Sequence, residues 1–268
     1  MKIDKKNIIK LLLLLFLLFL AIGLMFGKQI RRIRLAQRIT HNLKMQYHSS
    51  FICDSLSIYG DGVNFVCHPK DDSTLMFDGF GDSRSGSISY DTYPGAIIAK
   101  EDTAYLSELL LESFSEVFVY GDPRHRGGYK IDEMISSGNY TLDDLHKMDY
   151  APELFFYVFI NPLSTNGIYD YENEYNILEQ SIGKLTGMYK EKYEQDVCVV
   201  MHIYFIDSNM IEYTSEYFEN HLSPDYVFEN EIKPQGIIHI QMGAENGFYS
   251  ESLRMTKEEY IEERERMR

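Results

Sequence analysis

The chain has 268 residues, 44% hydrophobic and 25% charged, a globular balance that argues against a disordered or fibrous protein. Its 41 Asp and Glu outnumber 26 Lys and Arg, and the formal charge of −15 argues against nucleic acid as a partner, because phosphate affinity comes from clustered basic side chains. Three cysteines without a C-x-x-C pair argue against structural zinc and thioredoxin-like chemistry.

Taken in order, the first predicted element is the apolar stretch Ile8 to Gly27, centred on the run Leu11 to Leu20. Twenty residues in helix rise about 30 Å, the thickness of a bilayer's hydrocarbon core. Only Lys10 interrupts the stretch, near its end, where a lysine reaches the headgroups. Residues 1–27 therefore read as a cytoplasmic tip and a retained single-pass transmembrane signal-anchor, with membrane lipid contacted through residues 8–27. Ala21-Ile22-Gly23 would suit a cleaved signal peptide, but the apolar stretch continues past it. Residues 1–44 sum to +9 and the remainder to −24, so an acidic body hangs from a basic, membrane-facing segment. The reading places that body outside the cytoplasm.

Residues 28–47 read as an amphipathic stalk helix, with Ile30, Ile33, Ile39 and Leu43 at helical spacing. Residues 48–120 read as a first α+β subdomain. Phe51–Tyr59 and Val63–Cys67 bracket Gly60-Asp61-Gly62 as a hairpin; Thr74–Phe77 and Ser87–Tyr90 continue an antiparallel meander, and a helix follows over Thr103–Phe118. Residues 121–150, broken by Gly121, Pro123, Gly127 and Gly128, read as a linker. A second α+β subdomain over 151–268 follows the order β-α-β-α-β. Its strands are Phe155–Ile160, Val197–Ile206 and Gly236–Met242; its helices run over Tyr171–Tyr189 and from Ser208 to Phe218. Thr256 and Glu259 cap a charged C-terminal helix.

Candidate chemistry is sparse. On the two later strands His202 and His239 fall on the faces opposite the aliphatic ones, so neighbouring strands would bring them together as a metal or acid–base pair. Paired sheet histidines with no such role are the competing reading. Arg124, Arg126 and Lys130 form a basic island beside glycines, suited to holding an anion or to a solvated loop. Cys53 and Cys67 sit on the two hairpin arms. With Tyr59 opposite Val63 they are diagonal neighbours, too far apart for a disulfide unless twist or a bulge closes the gap. They are read as half-buried thiols, with the disulfide as the alternative that an extracytoplasmic location would favour. Asp78-Gly79-Phe80-Gly81-Asp82 fails the calcium-loop template and reads as a turn. The chain contains no P-loop, H-E-x-x-H or dinucleotide fingerprint, and neither a metal nor a cofactor is expected.

Tyr47 through Phe51, His68-Pro69-Lys70-Asp71-Asp72, Leu75-Met76-Phe77 and Tyr90-Asp91-Thr92-Tyr93 form a layout covering roughly residues 35–120. It resembles uncharacterised single-pass membrane-anchored α+β proteins of low-GC Gram-positive bacteria, and the resemblance implies a location more than an activity. The architecture is also similar to scaffold components of conjugative secretion systems. The expected function is a membrane-anchored interaction or scaffold domain meeting a protein partner at the cell surface. A hydrolase built on the histidines and an accessory part of a secretion or conjugation apparatus are the alternatives. Oligomeric state is left open.

Overall fold

The computed structural model describes residues 5–126, 129–148, 153–165, 168–218, 234, 236–243 and 255–267. Side chains of residues 5–25, 125, 129, 164, 165, 239 and 241–243 lie outside that description. The fold is mixed α+β, built on two four-stranded sheets.

The first element is one continuous helix, α1 (Lys5–Tyr47), where the sequence reading had separated an anchor from a stalk. Among the described residues no helix is long and apolar enough to cross a membrane. The predicted transmembrane helix, and with it the single-pass signal-anchor, is corrected on that finding. From Phe26 onward the helix carries Lys28, Arg31, Arg32, Arg34 and Arg38, charges that cost about 3 kcal/mol each at the centre of a bilayer. The lipid contact assigned to residues 8–27 falls, up to residue 25, on side chains outside the described residues. The far end of α1 belongs to the folded body. Leu35, Ile39, Leu43 and Tyr47, four residues apart, are buried, whereas Ile30 and Ile33 are exposed.

That buried stripe packs on the first sheet, an antiparallel meander of β1 (Phe51–Tyr59), β2 (Gly62–Pro69), β3 (Phe77–Asp82) and β4 (Ile88–Asp91) in sequence order. The stretch Asp78 to Asp82, expected as a turn, is strand β3. Its glycines admit close neighbours: a Cβ on Gly79 would sit 2.3 Å from the Phe65 ring and 2.7 Å from the Tyr90 carbonyl oxygen. Next comes α2 (Tyr93–Leu111), which starts ten residues before the predicted helix because Pro94 occupies its first turn. Val117 and Phe118, expected at the end of that helix, open strand β5 (Val117–Gly121) instead.

The expected linker over 121–150 is built of a 3-10 turn (Pro123–His125), α3 (Tyr129–Ser137) and α4 (Leu142–Met148). Its Ile131, Ile135 and Leu145 are part of the first hydrophobic core. The rest comprises β6 (Glu153–Ile160), a short pair β7 (Ser164–Thr165) and β8 (Ile168–Tyr169), α5 (Tyr171–Met188), β9 (Cys198–Phe205), α6 (Ser208–Phe218), β10 (Gly236–Gly243) and α7 (Lys257–Arg266).

The second sheet runs β10-β9-β6-β5, with β6 and β9 parallel and the outer pairs antiparallel. A parallel pair needs a crossover, which α5 supplies. One face buries Val158, Ile160, Val199, Met201 and Ile203 against Leu106 and Leu110 of α2 and Leu178, Ile182 and Leu185 of α5. The other face is aromatic, with Phe159 and Tyr204 packed against Tyr217 and Phe218 of α6. Helix α2 therefore serves both halves, giving Ala96 and Ile98 to the first core and Leu106 and Leu110 to the second.

Candidate functional site

Where β4 ends and α2 begins, the chain turns sharply, and local hydrogen bonds hold it there. The Asp78 backbone N–H donates to Thr92 Oγ1 (3.0 Å), and that hydroxyl donates to Asp78 Oδ1 (2.8 Å). The Tyr93 N–H donates to Asp91 Oδ1 (3.1 Å), an orphan donor of the helix start satisfied by a side chain. Close approach then fixes what lies opposite. A Cβ on Gly95 would stand 2.2 Å from the Pro123 carbonyl oxygen, so only glycine lets the basic island pack against the first turn of α2.

These contacts form a polar cleft of 470 Å³ lined by Tyr47, Tyr90, Asp91, Arg124, Arg126 and Asp132 among others. At its heart the Tyr47 hydroxyl reaches both oxygens of Asp91, at 3.0 and 3.1 Å. Burial pushes the Asp91 carboxyl up to about 6, with the negative charges of Asp132 and Asp78 acting in the same direction and the Tyr47 hydrogen bond opposing them. Burial also raises Asp132. Tyr47 is raised by burial and by the adjacent Asp91, so it remains a protonated donor. A carboxyl near 6 is charged at neutral pH but close to exchange. It can hold a cationic group or hand over a proton.

The basic island supplies two arginines to this cleft, each already held by a carboxylate. Arg124 donates through Nε (2.9 Å) and Nη2 (2.5 Å) to Asp122, whose Oδ1 also accepts the Arg124 backbone N–H. Arg126 donates to Asp102 Oδ2 (2.7 Å) and to the Tyr189 hydroxyl (2.7 Å), and Tyr189 donates to the same oxygen (2.6 Å). Asp102 is 1% exposed. His146 of α4, fully buried, lies 2.9 Å from Glu101 and 3.9 Å from Asp102 Oδ1. Arg126 thus ties α2 to the turn just after α5, while Arg124 and, on α3, Lys130 are exposed. The expectation that all three hold an external anion meets two guanidiniums whose charges are matched internally.

The histidine pair is placed by register: His202 and His239 lie directly opposite one another on β9 and β10. His202 packs on the aromatic face, its ring 5.2 Å from that of Tyr157. The side chain of His239 is outside the described residues. Among the described residues no group of three His, Cys, Asp or Glu could hold a metal. Cys198 is buried and is not part of a disulfide.

Cys53 and Cys67 are joined as a disulfide, their Cα atoms 4.1 Å apart. The hairpin turn holds two residues, Gly60 and Asp61, with Tyr59 opposite Gly62, and a bulge between Cys53 and Ser55 absorbs one more position. Together they place Cys53 directly across from Cys67, the gap-closing bulge being Asp54.

Sequence reasoning missed Asp91. Asp-Thr-Tyr-Pro ahead of an apolar run is a helix-start signal that would have put a carboxylate at the mouth of α2.

No protein-family model matches the chain, and no curated protein matches it. Its fold is similar to the crystal structure of a DUF5037 family protein from Ruminococcus gnavus, with a TM-score of 0.54 over 86% of this chain and 98% of that one. At 19% identity the likeness shows the fold alone.

Proposed function

We propose that this protein is a recognition module acting outside the cytoplasm, and that it takes a cationic group of a protein partner into the cleft at Asp91. The observation that carries the reading is the Asp91 carboxyl itself, lodged at the centre of a polar cleft with its affinity for protons raised. With Arg124 and Arg126 matched by Asp122 and Asp102, the charge left over in the cleft is that of Asp91 and Asp132. A lysine or arginine side chain answers that excess, and the acidic body steers it inward. The Cys53–Cys67 disulfide supports an oxidising compartment, where such bonds persist.

Calorimetric titration with a short lysine-rich peptide, at fixed salt, tests the reading. Binding should be tighter at pH 7.5 than at pH 5, because Asp91 is charged above about 6. Asp91→Asn should weaken it by about tenfold at pH 7.5, the scale of a charge-assisted hydrogen bond. Equal affinity for wild type and variant would sink the proposal.

The same carboxyl favours a second reading, a hydrolase in which Asp91 rather than the histidine pair is the proton donor. It predicts turnover of a hydrolysable substrate with an ionisation near 6 that Asp91→Asn removes. Turnover that survives this substitution would count against it.

A further inference from the structure

A second cleft, of 510 Å³, opens between the two sheets. It is walled by Phe118 and Tyr120 of β5, Phe218 of α6, and Leu75 and Met76 from the loop that joins β2 to β3. Ala96 and Ala99 of α2 leave room where larger side chains would fill it. The volume lies within the roughly 300–1,000 Å³ of small-molecule sites, and the lining is the mostly apolar kind with a few polar groups that such sites use.

The polar groups are the informative part. Lys100 Nζ is held by Asp72 (2.6 Å) and Thr74 Oγ1 (3.1 Å). His68 Nδ1 lies 2.7 Å from the Pro69 carbonyl oxygen, and Nε2 lies 3.6 Å from Asp54. The Lys100 ammonium and His68 Nδ1 are thereby already answered. The Tyr120 hydroxyl is not: it is buried and has no hydrogen-bond partner among the described residues. Its ring is fixed by Phe218 at 4.6 Å and Tyr157 at 6.1 Å. A buried hydroxyl left unpaired is destabilising, and a ligand oxygen would recover that loss. Burial above all disfavours a negative charge at this hydroxyl; Asp122 and Asp78 act in the same direction and Arg124 against them, so a neutral partner suits it better than an anion.

We propose that this cleft binds a small neutral ligand with an aromatic or apolar body and one hydrogen-bond-accepting oxygen, which takes the Tyr120 hydroxyl. The site is separate from the Asp91 cleft and does not depend on the function assigned there.

The test uses the full chain with its disulfide intact, titrated with Nile red, a neutral planar dye carrying a carbonyl. The anionic dye 8-anilinonaphthalene-1-sulfonate is titrated in parallel. Two variants identify the site: Tyr120→Phe removes the donor and keeps the ring, and Ser215→Trp fills the cleft from half-buried α6. Near-ultraviolet circular dichroism verifies that both stay folded. The expected result is a saturable component of one Nile red per chain, weakened about 5- to 10-fold in Tyr120→Phe and lost in Ser215→Trp. The absence of a saturable component, unchanged binding in either variant, or a preference for the anionic dye would overturn the proposal.

Discussion

At the residue scale, Asp91 and the Cys53–Cys67 bond each make a measurable claim. A carboxyl raised from an ordinary value of about 3.9 to about 6 binds its proton more tightly in the folded chain than in the unfolded one. Between those values folding takes up protons, so the Asp91 contribution to stability falls as pH rises from about 4 to 6 and stays flat above. Asp91→Asn should therefore be more stable than wild type at pH 7, by up to about 3 kcal/mol, with the difference vanishing towards pH 4. Chemical denaturation at both pH values reads it directly. The disulfide closes a loop with a sequence separation of 14, so Cys67→Ala should cost about 3 kcal/mol. Thiol counting in denaturant should give one free thiol before reduction and three after. Three before reduction would mean the bond does not form. The hairpin was legible in the sequence but its register was not, because Gly60-Asp61-Gly62 accepts a two- or three-residue turn and nothing in the residue types marks Asp54 as the bulge. The arginines of the island were legible as a cluster. Their partners Asp122 and Asp102 were hidden, one two residues away and the other on a helix that only the fold brings near.

At the element scale, α7 shows how a charged helix is held. Its sequence has no broad apolar face, yet Tyr260 and Arg264 are buried. Both reach Glu174 of α5, itself fully buried, with the Tyr260 hydroxyl and Arg264 Nε at 2.6 and 2.7 Å from Oε1. The guanidinium also lies 3.6 Å from the centroid of the Phe205 ring. Breaking such a buried pair from one side strands the other charge, so Arg264→Leu should cost about 3–5 kcal/mol. Replacing both partners, Glu174→Leu with Arg264→Leu, should cost less than that single change. Urea unfolding of the two variants tests the ordering, and a double variant worse than the single one would refute it. The capping box at Thr256 and Glu259 was readable, since it depends on spacing alone. The docking was not, because its partner lies 90 residues upstream. Val117 and Phe118 show a related ambiguity: they fit the stripe of a helix and the start of a strand equally well, and pairing with β6 decides.

At the scale of the whole molecule, the two sheets are not independent bodies joined by a linker. Helix α2 contributes to both cores, Arg126 bridges α2 and the turn just after α5, and the segment after β5 returns three side chains to the first core. The same logic governs α1. A division into stalk and domain places the boundary near residue 47, but Leu35, Ile39, Leu43 and Tyr47 are core side chains of the first sheet. Each such side chain buries an amount worth about 1.5–3 kcal/mol, so a chain beginning at Phe51 loses more than a marginally stable domain can spare. Its first sheet should unfold, while a chain beginning at Phe26 should keep a cooperative transition. The Asp91 site would go with that sheet, since Tyr47 is the donor that holds the carboxyl. Thermal melts followed by near-ultraviolet circular dichroism, together with the lysine-peptide titration, separate the outcomes. Should the chain from Phe51 melt cooperatively and still bind, α1 would be an appendage after all. Loss of both would make its last three turns a structural part of the recognition site.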